Sequence, residues 1–374
     1  MLSYWEKESF LKPHDVIIVG SGLVGLSAAY FLKKQQPKLS ITVLERGIFP
    51  SGASTKNAGF ACFGSVSELY SNVQCHGPQA MVALVEKRWK GLNTLKSLGL
   101  NLDMKPFGGH EIFRESDSES YENCLNFLPE LNTLLSDVIG SKNIFKPADE
   151  NIGNFGFGNI SHLIENVYET QIDTGKMMRS LWEKCQKEGV NIITGVNVEK
   201  IIEDEKVGVK TSVGTFTANK CLVATNGFTK SILPDLDVTP GRGQVLITKP
   251  IQNLKVKGTF HYESGFYYFR NIGERILLGG GRNLDIATET TTQMETTALI
   301  QSALEKILKE VVLPNQEVEI DYRWSGIMAF GQEMEPLIQS MGKGVFCAVR
   351  GSGMGVALGS QIGKDAADLI ISHS

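Results

Sequence analysis

An α/β fold, in which a parallel-sheet unit is interleaved with a β-rich α+β unit, is what the sequence predicts, on three observations. An apolar strand, Asp15-Val-Ile-Ile-Val19, runs straight into Gly20-Ser21-Gly22-Leu23-Val24-Gly25 and a helix, and a second strand, Ser40 to Leu44, ends on Glu45. Beyond Glu45 the alternation of strand and helix stops, and β-rich runs stand at 245–248, 265–270 and 275–278. Strand and helix units return from Asp173, and a last strand, Gly344 to Val349, feeds Gly351-Ser352-Gly353-Met354-Gly355 and a final helix.

Each element has a local reason. In the first turn one glycine permits a tight bend, the second lets the backbone approach a pyrophosphate, and the third lets helix and strand pack closely. The helix start supplies amide donors and the positive end of its dipole. Glu45 follows Gly25 by 20 positions, the spacing of a ribose-binding carboxylate, so this segment is Rossmann-like and predicts a dinucleotide site. Residues 46–60, rich in Gly, Ser, Thr and Asn, read as a loop, and 78–98 as a long amphipathic helix. Residues 100–113 read as strands around Gly108-Gly109 and 116–138 as a helix. Then come a helix at 176–188, a strand at 191–194, two short strands through Ala218, and a buried strand, Lys220 to Thr225. The later β-rich runs suggest an antiparallel sheet. The expected division is 1–98, 160–238 and 326–374 for the nucleotide unit, and 99–159 and 239–325 for the other.

Composition narrows the function classes. A chain of 374 residues has ample core for two or three structural units, and 39 glycines suit an α/β fold with many tight turns. A net charge of -4, with no long Lys/Arg run, leaves no electrostatic footprint for nucleic acid. No stretch is long and apolar enough to span a bilayer and the first residues lack a signal-peptide profile, so a cytoplasmic location is expected. The six cysteines are far apart, without CxxC or Cys/His ligand spacing; reduced, mostly buried thiols and no metal site are expected.

The loop after Glu45 carries Arg46, Ser54-Thr55-Lys56-Asn57-Ala58-Gly59; further on stand Val196-Asn-Val198, Leu222-Val-Ala224-Thr225-Asn226, Pro240-Gly-Arg242-Gly-Gln244, Tyr267-Tyr-x-Arg270, Gly279-Gly-Gly281 and Trp324-Ser-Gly326. With the two glycine turns, these motifs resemble the D-amino-acid oxidase-like flavoprotein superfamily, which includes glycine oxidase, sarcosine oxidase, D-amino-acid dehydrogenase and γ-glutamylputrescine oxidase, over essentially the whole chain. The resemblance implies FAD as cofactor. It implies that Glu45 binds the adenosine ribose, that Arg46 lies near the adenine, and that Val198 contacts the adenine edge through its backbone. Ser54, Thr55 and the Asn57-Ala58-Gly59 backbone would approach the pyrophosphate and flavin, with Ala224 and Thr225 beside them. The turn 351–355, with Val356, would set a helix N-terminus against the N1/C2 carbonyl edge of the flavin ring and stabilise negative charge there. Only 19 residues follow Gly355, too few for a second complete nucleotide unit.

Two departures bear on substrate. Met328 stands where glycine oxidase-like enzymes carry the arginine that pairs with the substrate carboxylate, and Arg350 stands where the strand before the closing helix commonly ends in glycine. Arg350 either recovers an anion site beside the flavin edge or is bound to a local carbonyl or turned to solvent. Tyr262, Tyr267, Tyr268 and Trp324 are candidate pocket liners or plain sheet packing, and Arg350, Met328 and Tyr267 are the leading pocket candidates. His110 and His261 fall in expected strands outside any motif, which favours a structural role. The cysteine that sarcosine oxidases use for covalent FAD falls about where Gly326 stands, so non-covalent FAD is implied. The implied reaction is oxidation of a C–N bond in a small amine or amino acid by hydride transfer to flavin N5, then imine hydrolysis, with reoxidation by oxygen or another acceptor. The oxygen-activating lysine is not evident on Arg275 to Leu278, which favours a dehydrogenase. A flavin-dependent tRNA-modifying enzyme and a non-catalytic flavin-binding protein are the alternatives.

Overall fold

The computed structural model describes residues 3–314 and 316–373. The apolar run His14–Val19 forms the centre of an eight-stranded sheet, flanked by Ile41–Leu44 and Asn191–Ile193 on one side and by Gly214–Val223, Val345–Val349 and Leu337–Ser340 on the other. All but the last of these pair in parallel. Both faces are covered, which is why Val16 to Val19 reads as a continuous apolar run rather than an alternating one. Val16 and Ile18 pack under the helices Leu23–Gln35 and Gly355–Ser372, and Ile17 and Val19 under the antiparallel strands Val198–Glu203 and Val207–Thr211. The two helices cross closely because Gly359 and Gly363 leave room: a Cβ there would stand 2.8 Å from Leu23 and 2.6 Å from Ser27.

A second sheet holds, in order, Ile320–Phe330, Thr239–Thr248, Arg275–Gly280, Tyr267–Ile272, Thr259–Tyr262, Gly109–Phe113, His162–Asn166 and Phe145–Pro147. Its pairings are antiparallel except that between Thr259–Tyr262 and Gly109–Phe113. One face packs Phe260, Phe269, Leu278, Tyr262 and Tyr267 against the helix Ala298–Ile307. The opposite face carries Val245, Ile247, Leu277, Tyr268 and Trp324 and meets Ala58 and Phe60 of the loop after Glu45. The two-residue period of a strand places Gly241, Gly243, Gly279, Gly326, Met328 and Phe330 on this face too.

Several expected elements differ. Of residues 100–113 only Gly109–Phe113 is a strand, because Asp103 and Gly108 adopt positive φ (43° and 77°) and bend the chain before it. The loop at 46–60 contains one helical turn, Ala53–Lys56. The helix expected at 176–188 runs Thr174–Lys187, started by Asp173, whose carboxylate accepts from Lys176 N at 2.9 Å. Two limits of the expected division do not coincide with the sheets. His162–Asn166 pairs in the second sheet, and Ile320–Phe330 runs unbroken across the limit at 325/326. A short run does not disclose its partner strand; pairing over long separations does.

Candidate active site

The first glycine turn is built to leave its amides clear. Gly20 has φ 103°, and a Cβ there would stand 2.8 Å from the Ala224 carbonyl oxygen; one on Gly25 would collide with the carbonyl oxygen of Gly20. Gly22 is extended, and a Cβ there would meet only Ser54 Oγ, at 3.1 Å. Ser54 Oγ accepts from Leu23 N at 2.9 Å, so the loop after Glu45 closes over the helix start. Glu45 is buried, and its carboxylate accepts from Ser21 N at 3.0 Å, Ser21 Oγ at 2.7 Å and Gly47 N at 2.9 Å. A carboxylate has about four lone-pair positions, so one remains for a ligand hydroxyl. Ile193 and Val196 lie beside Glu45, whose N donates to Ile193 O and whose O accepts from Val196 N, and Val198 follows two residues on. Arg46 stacks on Phe228 at 4.3 Å.

The rest of the loop is tied down. Thr55 Oγ1 donates to Pro50 O at 2.7 Å, and Asn57 donates to the carbonyls of Ala53 and Ser54 while accepting from Gly59 N. Arg270, which is buried, donates to Gly59 O at 2.9 Å and Ile172 O at 2.8 Å, pinning the loop to the second sheet. Trp324 Nε1 donates to Lys56 O at 2.9 Å. Ala224 N donates to Val19 O, and Thr225 bonds Thr229 at 3.1 Å. The closing turn bends through Arg350, Ser352 and Gly353 at φ 70°, 45° and 81°. The final helix then starts after Met354 with no side-chain cap, so the first amides, from Gly355 and Val356 on, are left for a ligand or water. Ser352 Oγ is buried and has no hydrogen-bond partner among the described residues.

Three pocket candidates fare differently. Met328 is half-buried; its sulfur is 3.9 Å from where a Gly353 Cβ would stand, and its methyl 3.1 Å from the same position on Gly243, which puts it between the sheet and the closing turn. Tyr267 is corrected: it points into the core on the far side of the sheet, and its neighbour Tyr268 faces the site, packed against Phe60 and over Gly279. Alternation tells that adjacent tyrosines point apart, not which one faces the site. Arg350 is corrected as well. It is buried, with Nη1 donating to Asp237 Oδ2 at 2.7 Å and to Asp237 O at 3.1 Å, and Nε to Glu335 O at 2.7 Å, as the local-carbonyl reading expects.

The sequence reading missed a buried polar group on the site face. His261, packed edge-on against Phe60 and opposite Tyr268 in the sheet, pairs with Glu169 through Nε2 at 2.9 Å, and Cys62 Sγ lies with both within 4.8 Å. Glu111, opposite His261 in the sheet, accepts from Ser67 N at 3.0 Å and from the hydroxyls of Ser65 and Ser67. Burial lowers the pKa of His261, but the Glu169 charge and hydrogen bond, helped by Glu111 and Glu68, reverse this and leave it above 6.5. A raised folded pKa stabilises fully below the unfolded value and loses that contribution as pH rises through the folded one. The unfolding free energy should therefore fall more above pH 6.5 in wild type than in His261→Gln. Parallel pH dependences in chemical denaturation would refute this. His110 faces the other core, stacked on Phe260 at 5.1 Å. Five cysteines are buried, Cys75 is exposed, and all are free thiols.

No helix among the described residues is long and apolar enough to cross a membrane. The chain is 24% identical to a probable oxidoreductase OrdL of Rhizobium meliloti (strain 1021), over 96% of this chain and 83% of that one. Its fold is shared with glycine oxidase of Geobacillus kaustophilus, with a TM-score of 0.75 at 18% identity covering 96% and 95% of the two chains. It is shared too with iminodiacetate oxidase of Chelativorans sp. BNC1, with a TM-score of 0.74 at 15% identity and the same coverage. The family described as FAD dependent oxidoreductase matches residues 15–369, which takes in both glycine turns, both sheets and the closing helix, and the chain therefore belongs to that family and is an FAD-dependent oxidoreductase.

Proposed function

We propose that the protein oxidises a C–N bond of a small amine or amino acid. FAD, bound without a covalent link, supplies the hydride acceptor at its N5, and water hydrolyses the resulting substrate imine. The observation that carries this reading is the face of the second sheet toward the closing turn. Tyr268 lies over Gly279, Met328 over Gly243, Phe330 and Arg282 over Gly241 and Lys56 over Gly326, so Tyr268, Trp324, Phe330 and Met328 give this face a largely apolar lining. Such a lining suits the apolar part of a small substrate, whose oxidation depends on positioning.

The residues fit FAD. The turn Gly20-Ser21-Gly22 with Leu23, Val24 and Gly25 would take the pyrophosphate, and Glu45 the ribose through its remaining lone pair. Arg46 and Val198 would border the adenine. Ser54, Thr55, Asn57, Ala58 and Gly59 would line the ring, with Ala224 and Thr225 beyond Gly20. The free amides after Met354 would hold negative charge on the pyrimidine edge. Cys347 sits away from this path: it is packed with Val223 and Val349, and its thiol is pushed up to about 11 by burial. This supports non-covalent binding.

The test is anaerobic flavin reduction. Primary amines, N-methyl amines and both amino-acid enantiomers are offered to the holoenzyme, and at least one class should bleach the flavin and yield one equivalent of carbonyl product. A flavin that stays oxidised with every class would refute amine oxidation. Readmitting oxygen or an artificial acceptor then decides between oxidase and dehydrogenase.

A further inference from the structure

The arginines around the site are almost all spent. Arg88 is paired with Glu68 and Phe63 O, Arg242 with Glu289, Arg270 with two loop carbonyls and Arg350 with Asp237. Arg282 is different. It follows directly on Gly279-Gly280-Gly281 in the short turn Arg282–Leu284, and its guanidinium lies 4.7 Å from the Phe330 ring centre. Its Nε is buried without an acceptor, and its side chain makes no hydrogen bond or ion pair among the described residues. Glu289, the carboxylate whose charge acts on it, is already held by Nε and Nη2 of Arg242, by Gln244 and by Thr297. Burial accordingly lowers the pKa of Arg282, offset only in part by Glu289.

Its position is informative. Arg282 Nε stands 3.0 Å from where a Gly241 Cβ would be, and Gly241 is the register partner of Met328, whose other side touches the closing turn at Gly353. Stacking on Phe330 holds one face of the planar fork, leaving its edge donors for a planar anion. We propose that Arg282 anchors the substrate carboxylate at this site, so that the substrate is an amino acid or N-substituted amino acid rather than a simple amine. This rests on the amine-oxidation reading and names its substrate class. It also separates the missing arginine at Met328 from a missing carboxylate site: the guanidinium arrives from the adjacent strand end instead.

The test uses the FAD holoenzyme. Acetate and pyrrole-2-carboxylate are titrated while the flavin absorbance is followed, and flavin reduction by N-methylglycine is compared with that by dimethylamine. Both carboxylates should perturb the wild-type spectrum. Arg282→Met should weaken their binding about 10- to 100-fold, as loss of a charged bidentate partner does, and Arg282→Lys should fall between. Arg282→Met should slow reduction by N-methylglycine about 10- to 100-fold more than reduction by dimethylamine, which has no carboxylate to lose. A wild-type spectrum that neither carboxylate perturbs, or equal affinities in wild type and Arg282→Met, would overturn the proposal. Should Arg282→Met fail to retain FAD, Arg282→Lys and Arg282→Gln decide by the same titration. Carboxylate binding that depends on Arg282, with no amine of any class reducing the flavin, would instead leave the anion site standing and sink the proposed reaction.

Discussion

Gly25→Val is expected to cost upward of about 3 kcal/mol of stability and to yield little soluble protein, whereas Gly22→Val is expected to fold and lose FAD. The two glycines are three residues apart in one turn, and the structure separates their jobs. A Cβ on Gly25 has nowhere to go, because the rigid carbonyl of Gly20 occupies its place and Ile18 closes the other side at 3.3 Å. A Cβ on Gly22 meets only the tip of the Ser54 side chain, which can rotate away, and the cost falls on whatever approaches the helix start. Thermal unfolding of the apo-proteins and FAD content after gel filtration measure the two effects. A Gly22→Val protein with full FAD would contradict the pyrophosphate assignment, and a well-folded Gly25→Val would contradict the packing argument.

Arg242→Met is expected to lower the unfolding free energy by about 3–5 kcal/mol. Arg242 and Glu289 are each 1% exposed and joined by two bonds, Nε to Oε2 at 2.8 Å and Nη2 to Oε1 at 2.9 Å. Removing the guanidinium leaves a carboxylate buried with only Gln244 and Thr297 to bind it. The pair lies on the face of the sheet opposite Tyr268 and Met328. Adding Glu289→Gln should recover much of the loss, because the charge left behind is what costs. Burial raises the pKa of Glu289, but the Arg242 and Gln244 bonds more than reverse this and lower it below 4.5. The pair's contribution is thus present above 4.5 and lost as pH falls through the lower folded value. The gap between wild type and Arg242→Met in urea denaturation should narrow in acid. A constant gap, or a loss under about 1 kcal/mol, would show that the pair is not the support described.

The nucleotide turn was legible because its information is local. Strand, three glycines, helix and terminal acid lie within Asp15–Glu45, and each position is required by a backbone conformation or close approach that only glycine or a short polar residue meets. The closing turn was legible for the same reason, as was the antiparallel sheet from its alternating runs. The pocket was not. Arg350 read as a candidate because it replaces a glycine beside the turn, and nothing nearby in sequence announces Asp237, 113 residues away, as its partner. The pairing of His261 with Glu169, 92 residues apart, escaped for a like reason.

By itself, then, the sequence determined an α/β protein with two glycine turns and a dinucleotide site, since the constraints there are set within one strand-turn-helix. Which of Tyr267 and Tyr268 faces the site, whether Arg350 is spent, and where an unpaired guanidinium ends up were decided only by tertiary structure. A period of two orders the side chains along a strand but leaves the choice of face to the layer that packs on it, and an arginine is free or committed according to carboxylates and carbonyls brought in from distant segments.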